Sequence, residues 1–284
     1  MTPAAFKRSI RDLQVWCSSC MVAFSGSDPI GVLIGAKRPS GTLVHTIAVH
    51  PDHRRQGHGR HLLASLGSKL AILGPPRIIA EVPESLAAAC GLFSACGYVE
   101  EAVLTDYVWE SEEGFARHER APFDGASRMV IPVTVDDLAA NGLLGEAPPS
   151  PSASAGQVHP VCWERSVETL TARKDEIAGL AVASDEQIEA CILYTKDGEI
   201  VSLHSFVDDG GARLKLLLSR LHAEGKSNFR FPKVHPAEIS KELLETLGFR
   251  PADVHRLYAA TLRPFDKLRG APSNVEGRQG SGSP

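Results

Sequence analysis

Apolar residues fall along this chain in two kinds of run: short continuous or alternating ones, and longer ones spaced three and four apart. Their order predicts the elements. Residues 3–13 read as a short helix with Thr2 before it and Pro3 in its first turn. CMVAFSG and IGVLIGA follow as two strands joined by the turn-forming stretch Ser25–Pro29, and after Arg38–Gly41 comes a third, TLVHTIAV. Leu62, Leu63, Leu66, Leu70 and Leu73 then sit at helical spacing until Gly74-Pro75-Pro76 stops them. Arg77–Val82 predicts a strand, Ser85–Cys96 a short helix ending at Gly97, and Tyr98–Trp109 another strand.

The same order returns further on. A strand is expected at 128–135 with a helix from Asp136, and then a helix near 164–173. Strands near 177–183, 188–195 and 199–206 follow, then a helix at 211–224, a strand at 228–232, a helix at 236–247 and a strand at 254–263. Gly97-Tyr98 has a counterpart in Gly248-Phe249 at the same place in the order. This is the mark of an internal duplication, although few residues are shared. The expected division is a first domain over 1–118, a linker over 119–127 and a second domain over 128–265. The Pro/Ser/Ala-rich run EAPPSPSASAGQVHP predicts a disordered loop at about 146–160 and the Gly/Ser/Pro-rich end a disordered tail at 266–284. The fold class is α/β, a mixed, largely antiparallel sheet flanked by helices, built twice.

Composition narrows the partners. The net charge of −4 argues against broad attraction to nucleic acid or an anionic membrane. No uninterrupted apolar run is long enough to span a bilayer, and the basic residues Lys7, Arg8 and Arg11 lead into a segment too polar for a signal peptide. Cytoplasmic location is expected, with scattered cysteines kept as thiols. Cys17 and Cys20 have the spacing of a redox or half-zinc motif, but no second such pair exists, which favours a structural role.

One stretch carries chemistry: HPDHRRQGHGRH, residues 50–61, between an apolar strand and a leucine-rich helix. Glycines at 57 and 59 allow a tight turn and close approach of the backbone to an anion. The free amides and positive dipole end of the following helix then point at that anion, and Arg54, Arg55 and Arg60 add charge. His50, His53, His58 and His61 imitate a zinc site. As ligands they would have to span strand end, loop and helix start and compete with the anion, so no metal is expected. No aromatic platform accompanies the basic residues, so nucleic acid is not expected either.

With that loop in its setting, LVHTIAVHPDHRRQGHGRHLLASL, the first 110 or so residues resemble the GNAT superfamily of acyl-CoA-dependent acetyltransferases. The second half, from CWERSVETL to KVHPAEISKELLETLGFRPADVHRLYAATLRP, more weakly resembles the C-terminal repeat of tandem GNAT proteins. The resemblance implies an acetyl-CoA site formed by Ile47, Ala48 and Val49 on the strand and by Arg54, Arg55, Gln56, Gly57, His58, Gly59 and Arg60 of the loop and helix start. It implies N-acetyl transfer to a primary amine of a small molecule or peptide, with a non-catalytic acyl-CoA-binding or regulatory protein as the alternative and a homodimer left open. His45 is one candidate base, placed by strand alternation on the face of Ile47 and Val49, or else simply a polar residue on the solvent side; Glu81 is the second candidate, or a structural carboxylate. The chain departs from the family in several places. Phe93 and Leu244 stand where a tyrosine general acid is usual, and Leu86 where an asparagine contacts the coenzyme. Asp208 and Asp209 replace the arginines in the second half, and that half is expected to have lost coenzyme binding. The family's first strand and helix have no room ahead of residues 3–13: either the start is internal to a longer chain, or residues near 128–135 supply the missing strand.

Overall fold

The computed structural model describes residues 3–110, 129–144, 162–226 and 228–262. The expected linker at 119–127, the loop at 146–160 and the tail at 266–284 lie outside them. The first half runs α1 (Pro3–Leu13), β1 (Met21–Ser25), β2 (Asp28–Arg38), β3 (Gly41–Val49), α2 (His58–Leu73), β4 (Arg77–Pro83), α3 (Ala87–Ala95) and β5 (Val99–Glu110). The second runs β6 (Met129–Val133), α4 (Val135–Ala140), α5 (Val167–Ala172), β7 (Ile177–Ala183), β8 (Ile188–Thr195), β9 (Ile200–Ser205), α6 (Ala212–Ala223), β10 (Asn228–Val234), α7 (Lys241–Thr246) and β11 (Phe249–Thr261). The duplicated order predicted from the sequence is present, as are the mixed, largely antiparallel sheets with helices packed on them.

The two halves are not separate sheets laid side by side. One seven-stranded sheet has the order β1-β2-β3-β4-β11-β5-β10, and a four-stranded sheet the order β6-β7-β8-β9. The last strand of the second half, β11, lies between β4 and β5 of the first, and β5 lies between β11 and β10 of the second. Every pair in the larger sheet is antiparallel except β3 with β4. A single parallel bridge, Glu199 to Arg230, ties β9 to β10 and so links the two sheets. The arrangement is nearly two-fold about the β5–β11 pair, where Leu104 faces His255. The strand at 129–133 pairs with β7, so it does not supply a further strand to the first half as expected; β1 forms that edge.

Side chains follow the exchange. Trp109 and Tyr107, on β5, are buried in the core of the second half among Phe229, Phe249 and the leucines of α6, and the Trp109 indole donates to Leu247 O at 3.1 Å. Tyr258, on β11, is buried in the core of the first half with Leu62, Leu66 and Phe93. The leucine spacing read in 62–70 is this buried face of α2. Each half thus completes the other's hydrophobic core. On the opposite face of the large sheet, Cys162 packs over Leu104 and Leu257, and Trp163 packs on Leu13, Ala36 and Leu43. The Trp163 indole donates to Leu13 O at 3.0 Å, and the buried Arg38 guanidinium lies 4.0 Å from its ring centroid.

All six cysteines are free thiols. Among the described residues no helix is long and apolar enough to cross a membrane, and no group of three or more His, Cys, Asp or Glu side chains is placed to hold a metal ion.

Because the cores are shared, unfolding should be one cooperative transition. Trp109→Ala should remove about 3–5 kcal/mol of stability, the cost of emptying a large core site. Hydrogen exchange should then show amide protection falling together on β4 and β10. Loss confined to the second half would mean that the halves fold independently.

Candidate functional site

The β3–β4 ladder is short. It pairs Thr42 with Ile78 and Leu43 with Ile79, and then the two parallel strands part. From Val44 to Val49, β3 is bonded to β2 on one edge only, so its other edge offers backbone donors and acceptors to something extended laid alongside it. Ile47, Ala48 and Val49 lie on this stretch. A cleft of about 570 Å³ opens beside its end, lined by Val22, Val32, Ala48, Val49, His50 and Arg54.

The loop then turns into α2. Gly57 is the residue before the helix, at φ +89°, a left-handed conformation that favours glycine, and a β-carbon there would meet nothing within 4 Å. The first helical bond runs from His61 N to Gly57 O at 2.9 Å, so the amides of His58, Gly59 and Arg60 stand ahead of it at the positive end of the helix. Gly59 has a different reason to be glycine: a β-carbon would come within 3.0 Å of the Leu92 side chain, so it lets α2 pack on α3. Gly57 thus answers to backbone conformation and Gly59 to helix packing. Arg54 folds back to donate from Nε to Val49 O at 3.0 Å, Gln56 donates to Asp52 O at 3.1 Å, and Arg60 reaches Ala95 O at 3.5 Å. Arg55 holds φ +63° within the turn. The rings of His50, His53 and His58 lie edge to face along the loop.

The candidate bases sit on the other face. His45 is the extra residue of a β-bulge: Thr46 pairs with Ile34 and Val44 with Gly35, leaving His45 unmatched. Val44 and Ile47 consequently share the α2-facing core three residues apart, and simple alternation fails at this point. His45 does not share a face with Ile47. Its charged neighbours are Glu164, Lys233 and Glu81, all on the side turned away from α2, and burial holds its pKa below the usual imidazole value. The ring is neutral at pH 7. Glu81 is committed to partners: its carboxylate accepts from Trp163 N at 2.9 Å and lies 3.0 Å from Lys233 Nζ. Lys233 also donates to Glu164 at 3.1 Å. Burial alone would lower the Lys233 pKa, but the two carboxylates hold it well above normal, so the ammonium stays charged. Lys233 was missed in the sequence because nothing there says that β10 joins the first half's sheet beside β5, from where its side chain reaches Glu81 on β4. Cys162, close by, is no nucleophile, its thiol being pushed up to about 12 by burial.

Phe93 occupies the helix slot where the resemblance places a tyrosine. Two phenols pack against it, one from each half. Tyr258 stacks on Phe93 with ring centroids 5.8 Å apart, its hydroxyl beside Ser94 and Cys90, and burial raises its pKa. Tyr98, also packed on Phe93, is buried and pushed far up in the same way. Leu86 is exposed ahead of α3 and makes no side-chain cap.

The second half has its own loop ahead of α6, with Gly211 at φ +85° in the place of Gly57. There the anion is built in. The Asp209 carboxylate accepts from Gly211 N at 3.0 Å, Arg213 N at 3.0 Å and Arg213 Nη1 at 2.7 Å, so it caps the helix start itself. Burial alone would raise the Asp209 pKa, but the Arg213 side chain and the two amides hold it below the usual carboxylate value. Mere repulsion of a phosphate by Asp208 and Asp209 is thus too weak a description of this loop: one of the two already fills the position.

Residues 3–98 match the model of the GNAT acetyltransferase family. A tandem GNAT protein from the clavulanic acid biosynthesis pathway is similar in fold, with a TM-score of 0.57 at 18% identity over 90% of this chain and 88% of that one. A GCN5-related N-acetyltransferase from Sphaerobacter thermophilus gives 0.58 at 15% identity, over 86% and 81%. Another from Anabaena variabilis gives 0.57 at 10% identity, over 93% and 67%. At these identities the likenesses speak for the fold, and the family match speaks for the first 98 residues. Residues 3–98 thus carry the sequence of the GNAT acetyltransferase family, and the chain as a whole shares the fold of a tandem GNAT protein.

Proposed function

We propose that the first half binds acetyl-CoA between β3 and the start of α2 and that the chain transfers the acetyl group to a primary amine. The observation that supports this best is the free edge of β3 running straight into a left-handed glycine and an open helix N-terminus flanked by Arg54, Arg55 and Arg60. An amide-bearing pantetheine arm suits the free edge at Ile47–Val49, and a pyrophosphate suits the helix amides of residues 58–60. The parting of β3 from β4 leaves room for the thioester, and the bulge at His45 turns backbone amides toward it, which suits a developing oxyanion. Glu81 is a structural carboxylate in this reading, tied to Lys233, and His45 a neutral imidazole half-buried beside them. Tyr258, kept protonated by burial, is the phenol available to a leaving thiolate. A non-catalytic acyl-CoA-binding protein is the second reading, favoured by Phe93 and Leu86 at slots where the family uses polar groups.

Acetyl-CoA turnover against a panel of small and peptidyl amines separates the two readings; binding without turnover on any amine would favour the second. In calorimetry, one coenzyme A should bind per chain. Arg54→Ala and Arg55→Ala should each weaken it by about 1.5–3 kcal/mol per charge-assisted hydrogen bond lost. A stoichiometry of two would place a second site at α6.

Asp209 gives a pH expectation. A carboxylate whose pKa is lower in the folded than in the unfolded chain adds stability above its unfolded value, near 3.9, and that stability is lost as pH falls through the folded value. Asp209→Asn should therefore cost about 1–2 kcal/mol at pH 7, as loss of a helix cap does, and flatten the acid limb of the stability curve. An unchanged acid limb would show that Asp209 does not hold its charge against α6.

A further inference from the structure

Asp106 is a fully buried carboxylate on β5, and the sheet opens around it on both sides. On β10 the register jumps from Phe231–Tyr107 to Val234–Thr105, and on β11 from Pro251–Tyr107 to Val254–Thr105. Both neighbouring strands thus bulge opposite the same residue. Paired bulges cost ladder bonds and are a recurrent device for re-aiming side chains at a site. Lys233 adopts φ +49° within its bulge, and its amide donates to Asp106 Oδ1 at 2.8 Å. Asp106 Oδ2 accepts from Arg230, and His255 Nδ1 lies 3.5 Å from Oδ1. The opening is a cleft of about 550 Å³ lined by Pro83, Glu84, Ser85, Arg230, Asp253 and His255. His255 is opposite Pro83, and therefore one strand in from the edge of β4 that parts from β3.

We propose that this cleft is the acceptor site, taking a small ammonium-bearing molecule, and that His255, beside Asp106, removes the proton from its nitrogen. This rests on the acetyl-transfer reading above. The rim supplies the charge: Glu84 is paired with Arg256, whereas Asp253 lines the cleft without a salt bridge among the described residues, its charge felt by Arg230. The buried carboxylate 3.5 Å from the imidazole stabilises the imidazolium that forms. In the step itself, R–NH₃⁺ gives a proton to His255. The free amine then attacks the thioester carbonyl of acetyl-CoA, the C–N bond forms and the C–S bond breaks. The thiolate leaves as thiol on taking a proton, and the acylated nitrogen sheds its second proton to water. The groups facing His255 are Asp106, Arg230, Glu84 and Asp253.

The test uses the full chain and ethanolamine as the probe amine. The imidazole resonance of His255, assigned through His255→Gln, is followed as ethanolamine is added with and without acetyl-CoA. A saturable shift is expected, weakened at least tenfold in Asp253→Asn, while coenzyme affinity and melting temperature stay as in the parent. No shift, or one untouched by Asp253→Asn, would overturn the site. In turnover, His255→Gln should lower kcat at least tenfold and leave the KM for acetyl-CoA unchanged; equal kcat would overturn the proton role while acetyl transfer stands. If the parent turns over no amine yet shows the shift, the acetyl-transfer reading and the proton role fall together and the amine site remains.

Discussion

The pairing of β5 with β11 is the constraint on which the rest of the molecule depends. Each strand leaves its own half and is bonded on both edges by strands of the other or by its exchanged partner. Trp109 and Tyr258 bury large rings in cores that their own halves began elsewhere in the chain. With a ring of that size shared, neither half can bury its apolar surface alone. The buried Arg38 and Trp163 contacts then close the opposite face of the sheet.

Near-symmetry makes the departures from it informative. Two helices begin after left-handed glycines, α2 at Gly57 and α6 at Gly211, and each start concentrates unbonded amides. At α6 a side-chain carboxylate satisfies them, whereas at α2 none of the described residues does. The same helix-start electrostatics therefore serve folding in one half and leave a place for a ligand in the other. The sheet centre is uneven in the same way. Leu257 sits opposite Glu81 in regular register, but Asp106 is bracketed by two bulges. A buried carboxylate needs charge and donors around it, and the bulges bring the Lys233 amide and Arg230 within reach.

Much of this was legible in the sequence because it depends on local chemistry. The periodicity of Leu62 to Leu70, the stop at Gly74-Pro75 and the repeated Gly-aromatic turn all reported real elements. So did the strand, glycine loop and helix that frame residues 47–60. What escaped detection depends on distant segments. The alternation that put His45 beside Ile47 is broken by one inserted residue, and a bulge leaves no mark in a run such as TLVHTIAV. The start of β11 at Phe249 was hidden because Pro251, Ala252 and Asp253 look like a turn and are in fact a bulge within the strand. Lys233, Asp106 and His255 carried no signal at all, since they meet only through strand exchange.

That last point bears on where catalysis can reside. Glu81 of the first half is held by Lys233 of the second, and Asp106 of the first half lies 3.5 Å from His255 of the second. Phe93, which cannot give a proton, is stacked against Tyr258, which can. A chain judged half by half therefore looks short of chemical groups: one domain without its tyrosine, the other with its anion loop filled. In the folded molecule the second half has kept its strands, and through them places ionisable side chains beside the parted strands β3 and β4 of the first. A carboxylate at the start of α6 occupies that half's own loop, but its strands are still required by its sister's sheet. Side chains on those strands are positioned as rigidly as any in the first half, and the scaffold therefore recruits its polar groups there.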